Sequence, residues 1–317
     1  MAPPRVPPSG VWAPAVTFFD PETDTLVPDA QAAYYAHLSK TGLAGLVILG
    51  TNAETFLLTR EERKLLVQTA RRSVAGGPDF PLMAGCGGHS TKQVLEYIAD
   101  AAEAGASYAL VLPPAYFGKA TTPAVVDAFY ADVARASALP IVIYNFPAVC
   151  NGVDLDSATI AALARRHDSI VGVKLTCGSV AKITRLAAEL PADRFATFGG
   201  QSDFLIGGLS VGSAGCIAAF ANVFPRALAR VYALYKEGRH DEALALHRKA
   251  ALAEQPCKAG IAAVKYATAI YSAREAGIEG AVEKLRPRRP YTEATAAQKE
   301  GIAAQTAELA EIEASLR

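Results

Sequence analysis

Ile170-Val171-Gly172-Val173-Lys174-Leu175-Thr176 is a short apolar run flanked by two stretches of helical spacing, Ser157 to Arg166 and Val180 to Leu190. It is too brief for a helix and rich in valine, so it reads as a strand buried on both faces, one βα unit in a parallel sheet. The same alternation continues in both directions. Further strands are expected at Trp12 to Phe18, Gly45 to Leu49, Pro81 to Ala84, Tyr108 to Leu112, Ile141 to Tyr144, Phe195 to Phe198 and Ala214 to Ala218. Helices are expected between them at Arg60 to Val74, Thr91 to Ala104 and Val125 to Ser137. Eight strands, each followed by a helix, predict a closed α/β barrel, the (β/α)₈ TIM barrel. An open doubly wound sheet is the alternative, but Val16-Thr17-Phe18-Phe19-Asp20, after the first strand, carries no glycine of a dinucleotide fingerprint.

After about Val231 the alternation stops, and the remainder reads as helices at Asp241 to Glu254, Ala259 to Ala276 and a polar stretch from Thr292 to Leu316. The expected organisation is therefore a Pro-rich tail over 1–10, a barrel over 11–235 and a C-terminal helical subdomain over 236–317. The Arg286 to Arg289 cluster is expected to be a solvated turn.

Half of the 317 residues are hydrophobic (51%) against 20% charged, enough for a large core and unlike a disordered chain. Lys+Arg and Asp+Glu are both 31, so neither a nucleic acid nor an anionic membrane surface is an expected partner. A low net charge on an apolar chain favours burial in an oligomer. Cys86, Cys150, Cys177, Cys216 and Cys257 are dispersed, with no zinc or disulfide spacing, and fit a reducing compartment. MAPPRVPPSG does not read as a signal peptide and is Pro-broken for an amphipathic leader. The expected location is the cytosol, with the mitochondrial matrix held open.

In such barrels chemistry sits at the carboxyl ends of the strands, so polar residues ending apolar runs are informative. Lys174 is one: desolvation favours the neutral amine that attacks carbonyls, whereas a buried structural ion pair is the alternative reading. Lys265, with apolar neighbours in a helix, competes with it but is expected to snorkel. Tyr144 ends Ile141-Val142-Ile143-Tyr144-Asn145-Phe146-Pro147, one strand from Lys174, and reads either as a proton relay or as a core tyrosine. Gly50-Thr51-Asn52-Ala53-Glu54-Thr55 offers hydroxyl and N–H donors for a carboxylate, or is an ordinary loop before a capped helix at Thr59-Arg60-Glu61-Glu62. Glu54 is expected to tie down its own loop. His37, His89, His167, His240 and His247 form no ligand pair, so no metal and no cofactor is expected.

Three of these segments together resemble the family of dihydrodipicolinate synthase and N-acetylneuraminate lyase, the class I pyruvate-type aldolases. The carboxylate loop of type G-[ST]-[TN]-G-E appears as Gly50-Thr51-Asn52-Ala53-Glu54, the Y-N-x-P strand end as Tyr144 to Pro147, and the G-x-K-x-[ST] strand as Gly172 to Thr176. The resemblance implies Lys174 as the imine-forming residue, Tyr144 as proton relay, and Thr51 and Asn52 as hosts of a 2-oxo acid's carboxylate. It also implies Tyr116 as a residue inserted across a subunit interface, in a homodimer or homotetramer, and Gly200, Ser202 and Ile217 at the distal substrate pocket. Val149 stands where dihydrodipicolinate synthases carry an arginine for the aldehyde's carboxylate, which disfavours that condensation. The Thr51-Asn52 pair is similar instead to the loop of 4-hydroxy-2-oxoglutarate aldolases and fungal-type 2-keto-3-deoxy sugar acid aldolases. The expected activity is reversible cleavage of a 4-hydroxy-2-oxo acid, 4-hydroxy-2-oxoglutarate or a 2-keto-3-deoxy sugar acid, to pyruvate and an aldehyde; dihydrodipicolinate-type condensation, an imine-based dehydratase or hydratase-aldolase and a non-catalytic regulator on the same barrel are the rivals.

Overall fold

The computed structural model describes residues 6–316, so Met1 to Arg5 of the expected tail and Arg317 lie outside the described residues. Eight strands, β1 (Gly10–Pro14), β2 (Gly45–Ile48), β3 (Leu82–Gly85), β4 (Tyr108–Val111), β5 (Ile141–Asn145), β6 (Ile170–Leu175), β7 (Ala196–Gly199) and β8 (Gly215–Ile217), pair in chain order. All pairs are parallel, and the barrel closes where Gly10, Val11 and Trp12 meet Gly215, Cys216 and Ile217. Every strand residue is buried, which is why the runs lack a polar alternation.

β1 ends four residues earlier than its apolar pattern predicts. The Ala15 N–H still donates to the Val47 carbonyl of β2 at 3.0 Å, but beyond it the chain leaves the sheet while staying buried: the Val16 N–H donates to Asn222 Oδ1 (3.2 Å) and the Phe18 N–H to Gln31 Oε1 (3.1 Å). Side chains replace the ladder there, so hydrophobicity alone overstates the strand.

Helices α1 (Pro28–Leu38), α2 (Arg60–Ser73), α3 (Thr91–Glu103), α4 (Pro123–Ala136), α5 (Ser157–Arg166), α6 (Val180–Glu189), α7 (Leu205–Leu209) and α8 (Pro225–Lys236) follow the successive strands. α2 starts at a capping box formed by Thr59 and Glu62, as its sequence suggests. Trp12 lies inside the barrel, edge-on to Tyr108 and Phe198 with centroids 6.3 and 6.2 Å away. Its ring passes so close to β2 that a Cβ at Gly45 would fall 2.4 Å from it, so only glycine fits there.

The C-terminal part comprises α9 (His240–Glu254), α10 (Ile261–Ile270), α11 (Ser272–Glu275), α12 (Ala281–Lys284) and α13 (Ala296–Ser315). The single helix expected over Ala259 to Ala276 is instead broken at Tyr271, whose backbone leaves the helical region (φ −118°, ψ −92°) and whose hydroxyl meets Thr306 Oγ1 at 2.7 Å. Ala250, Ala253, Cys257, Ala263, Ala267, Ile302 and Leu309 belong to the same apolar core as the barrel's outer layer. Among the described residues no helix is long and apolar enough to cross a membrane.

Two expectations fail in this region. Arg288 is not a solvated turn residue: its guanidinium holds Glu62 at 2.5 and 2.8 Å and reaches Asp24 at 3.3 Å. Lys265 does not snorkel. Its side chain is 0% exposed, because its ammonium has a buried partner 2.6 Å away in Glu54.

Candidate active site

At the carboxyl ends of the strands lies a cavity of about 240 Å³, lined by Thr51, Asn52, Tyr144, Lys174, Thr176, Gly200, Gln201, Glu254 and Lys258 among others. Lys174 is the penultimate residue of β6 and only 2% exposed. Register places it directly opposite Tyr144 on β5, and its Nζ stands 4.3 Å from the centre of that ring. Among the described residues no carboxylate lies within ion-pairing distance of Lys174, so the structural ion pair that the sequence left open does not form. The Tyr144 and Thr51 hydroxyls lie 3.2 Å apart, so the Lys174 amine, the Tyr144 phenol and the Thr51 loop form one connected set.

The loop owes its shape to its backbone. Leu49 takes a left-handed conformation (φ 64°), Thr51–Ala53 make a single 3₁₀ turn, and Glu54 ends it at φ 56°. The turn's bonds run from the Ala53 N–H to the Gly50 carbonyl and from the Glu54 N–H to the Thr51 carbonyl. The N–H groups of Thr51 and Asn52 therefore stay outside its ladder, where they can serve an anion. The unusual angle falls on Glu54, not on Ala53, so alanine replaces the loop's usual glycine without strain. Thr17 Oγ1 donates to the Ala53 carbonyl at 2.9 Å.

Glu54 does more than tie down its own loop. Oε1 accepts from Lys265 Nζ on α10, Oε2 accepts from the Arg288 N–H at 2.7 Å, and the Lys265 ammonium also donates to the Arg286 carbonyl at 3.0 Å. Burial pushes the Lys265 ammonium down to about 8, against the pull of Glu54.

Of the other expected site residues, Gly200 lines the cavity, and its lack of a side chain is enforced, since a Cβ would fall 2.1 Å from Thr176 Oγ1. That hydroxyl is buried with no hydrogen-bond partner among the described residues. Ser202 lies behind the wall, its hydroxyl donating to Glu254 Oε2 at 2.6 Å. Ile217 is fully buried in the barrel interior with Trp12 and Phe198, not on the cavity. Tyr116 is 73% exposed and does not line the cavity; its ring packs between His89 (5.7 Å) and Phe117 (5.3 Å). Val149 borders a neighbouring pocket with Phe56, Leu57 and Tyr291.

Sequence reading missed Thr176, Gln201, Glu254 and Lys258. Thr176 closes the lysine motif and was readable from it. Glu254 and Lys258 come from the end of α9 and the turn after it, where nothing in the local pattern separates a cavity residue from a helix charge. Among the described residues no group of three or more His, Cys, Asp or Glu side chains gathers as a metal site would.

A model of the dihydrodipicolinate synthetase family matches residues 7–308. A protein of Coccidioides immitis, assigned by name to the mitochondrial 4-hydroxy-2-oxoglutarate aldolases, is 66% identical over 99% of both chains. The L-threo-3-deoxy-hexylosonate aldolase of Hypocrea jecorina is 36% identical over the full length of both. A crystal structure of a dihydrodipicolinate synthase family protein from Coccidioides immitis superposes with a TM-score of 0.93 at 62% identity, covering 99% of each chain. The first relative's name points to mitochondria, the compartment held open above beside the cytosol. With the closed barrel and the Lys174 strand, these matches place the chain, a lyase of the class I aldolase type, in the dihydrodipicolinate synthetase family.

Proposed function

We propose that this lyase reversibly cleaves a 4-hydroxy-2-oxo acid to pyruvate and an aldehyde through an imine on Lys174. The carrying observation is the Lys174 amine, buried without a carboxylate partner, beside a phenol already joined to the carboxylate loop. The Thr51 and Asn52 donors hold the substrate carboxylate and so place its C2 carbonyl at the amine. Nζ adds to C2, water leaves, and the protonated imine becomes an electron sink. Tyr144 takes the proton of the C4 hydroxyl, the C3–C4 bond breaks, its electron pair moves into the enamine, and the aldehyde departs. Protonation at C3 and hydrolysis release pyruvate and restore the amine.

Tyr116 completes the site in this reading from a second copy of the chain, in a homo-oligomer; its exposed ring beside His89 and Phe117 supports that role. Gly200 gives the distal substrate room, Ser202 acts through Glu254, and Ile217 supports the strand beneath them. Val149 speaks against dihydrodipicolinate-type condensation, since it offers no charge for a second substrate's carboxylate.

Incubation with pyruvate and borohydride, followed by peptide mass analysis, tests the proposal. A reduced adduct mapped to Lys174 and absent from Lys174→Ala is expected. No adduct at near-neutral pH overturns the mechanism and favours a non-catalytic barrel, and an adduct on another lysine overturns the role of Lys174. If the adduct forms but 4-hydroxy-2-oxo acids release no pyruvate, the same imine serves a dehydration instead.

A further inference from the structure

The cavity lining is of two chemically different kinds, one set from β5, β6 and the turn after β2, the other from the segment after β7 and from the end of α9 with the turn behind it. Thr51, Asn52, Tyr144 and Lys174 form one, and the mechanism uses all of them. Glu254, Lys258 and Gln201 form the other, and the mechanism uses none of them. Glu254 is 4% exposed, and among the described residues no Lys, Arg or His lies within ion-pairing distance of it. Its protein partners are the Ser202 hydroxyl at 2.6 Å and, weakly, the Ser202 N–H at 3.4 Å. A buried carboxyl so sparsely served has accepting capacity to spare, which is costly unless something else uses it.

We infer that Glu254 selects the aldehyde half of the substrate by accepting hydrogen bonds from the hydroxyls of a polyhydroxylated chain. The substrate class is then a 3-deoxy-2-oxo sugar acid, a monoanion, rather than a 4-hydroxy-2-oxo acid with a second carboxylate. This assignment rests on the imine reading above and deepens it.

Charge decides between the two classes. The distal wall carries Glu254 and a single cation, Lys258, and that cation is taken: it is paired with Asp203, which does not line the cavity, and donates to Gln201 at 3.3 Å. Val149 supplies no replacement. A second carboxylate would meet the Glu254 carboxyl in a partly desolvated space with no free cation beside it, whereas a hydroxyl donates to that carboxyl without bringing charge.

The geometry behind Glu254 fits a fixed recognition group. α9 grips the loop after β7 at two points on one face: His247 Nε2 meets the Ser202 carbonyl at 2.7 Å, and Glu254, two turns later, takes the Ser202 hydroxyl. The carboxyl is thereby held by the loop that contributes Gly200 and Gln201 to the same cavity.

The test compares three substrates that share carbons one to four, followed by pyruvate release from the full-length protein: a six-carbon 3-deoxy-2-oxo sugar acid, 4-hydroxy-2-oxoglutarate, and 4-hydroxy-2-oxopentanoate, whose distal group is a methyl. The sugar acid should show the highest kcat/KM, by about tenfold or more over the dicarboxylate. Glu254→Gln should shrink that ratio by about tenfold or more, losing on the sugar acid and gaining on the dicarboxylate, because like-charge repulsion is gone. The wild-type ranking needs no variant to fold, and a preference for the dicarboxylate overturns the assignment. So does an equal loss on all three substrates in Glu254→Gln, the signature of a merely structural role through Ser202. Either failure leaves the pyruvate adduct on Lys174 intact, whereas failure to form that adduct removes the imine reading itself and this inference with it.

Discussion

Replacing Lys265 by methionine removes a charge that never touches the cavity, and it should damage both folding and substrate binding. The ammonium and Glu54 are 0% and 2% exposed and 2.6 Å apart. Lys265→Met keeps the stem's volume but leaves the Glu54 carboxylate buried with only the Arg288 N–H, at 2.7 Å, and strips the Arg286 carbonyl of its donor. An uncompensated buried charge of this kind costs about 3–5 kcal/mol. Adding Glu54→Gln removes that charge, so the double variant should be more stable than Lys265→Met alone, with a coupling of about 1–3 kcal/mol in a double-mutant cycle read by urea denaturation. Glu54 also ends the turn that presents Thr51 and Asn52, so the single variant should raise KM for the 2-oxo acid about tenfold with a smaller change in kcat, as expected for lost positioning of bound substrate. The pH dependence has a definite sign. Burial lowers the Lys265 ammonium from 10.5 to about 8, so between those values the native state has shed a proton that the unfolded chain keeps. Folding therefore carries a penalty for keeping this ammonium charged that is full below about 8 and is relieved as pH rises toward 10.5; the slope should be absent in Lys265→Met. A loss below about 1 kcal/mol in the single variant, or additive losses in the double, would refute the buried-pair argument. A large stability loss with unchanged KM would refute the loop-anchoring half.

Tyr144→Phe keeps the ring beneath the Lys174 amine but deletes the hydroxyl that meets Thr51; kcat for cleavage should fall about 10²- to 10⁴-fold while borohydride still traps pyruvate on Lys174. At the opposite edge, the Glu313 carboxylate of α13 accepts from the Arg226 and Ala227 N–H groups at 2.9 and 2.7 Å, capping α8. Glu313→Ala should cost about 1–2 kcal/mol in denaturant unfolding. Burial holds this carboxyl above its ordinary range, so its contribution to stability is greatest in acid and declines as pH rises through the native value; Glu313→Gln, which keeps an acceptor, should flatten that decline.

The barrel was legible because each strand is buried on both faces, so burial and sequence carry the same signal. Where they part, reading failed: Val16 and Phe18 are as buried as any strand residue yet donate to Asn222 and Gln31 instead of a neighbouring strand. The pairing of Tyr144 with Lys174 was legible because consecutive strands of a barrel are neighbours, which makes sequence order a spatial statement. Charged residues on helices carry no such rule. Lys265 looked like a stem with a solvated head because its partner Glu54 is 211 positions away. Arg288 looked like a turn residue for the same reason, its carboxylates lying on α2 and in the segment after β1. Glu254 sits on a helix rich in alanine and charge, where one buried carboxylate resembles its exposed neighbours.

Those misread residues share an origin, and it bears on what the C-terminal helices are for. Lys265 of α10 and Arg288, beyond α12, fix Glu54 and through it the turn bearing Thr51 and Asn52. Glu254 of α9 and Lys258 after it complete the far side of the cavity. Residues 11–235 alone would keep all eight strands and both Lys174 and Tyr144. They would also bury a Glu54 carboxylate with no cation and leave the distal wall unbuilt. The helices after the barrel thus act on both sides of the cavity: on the Thr51–Asn52 turn through the Lys265–Glu54 ion pair, and beside Gln201 through the Glu254 carboxyl, which has no such partner.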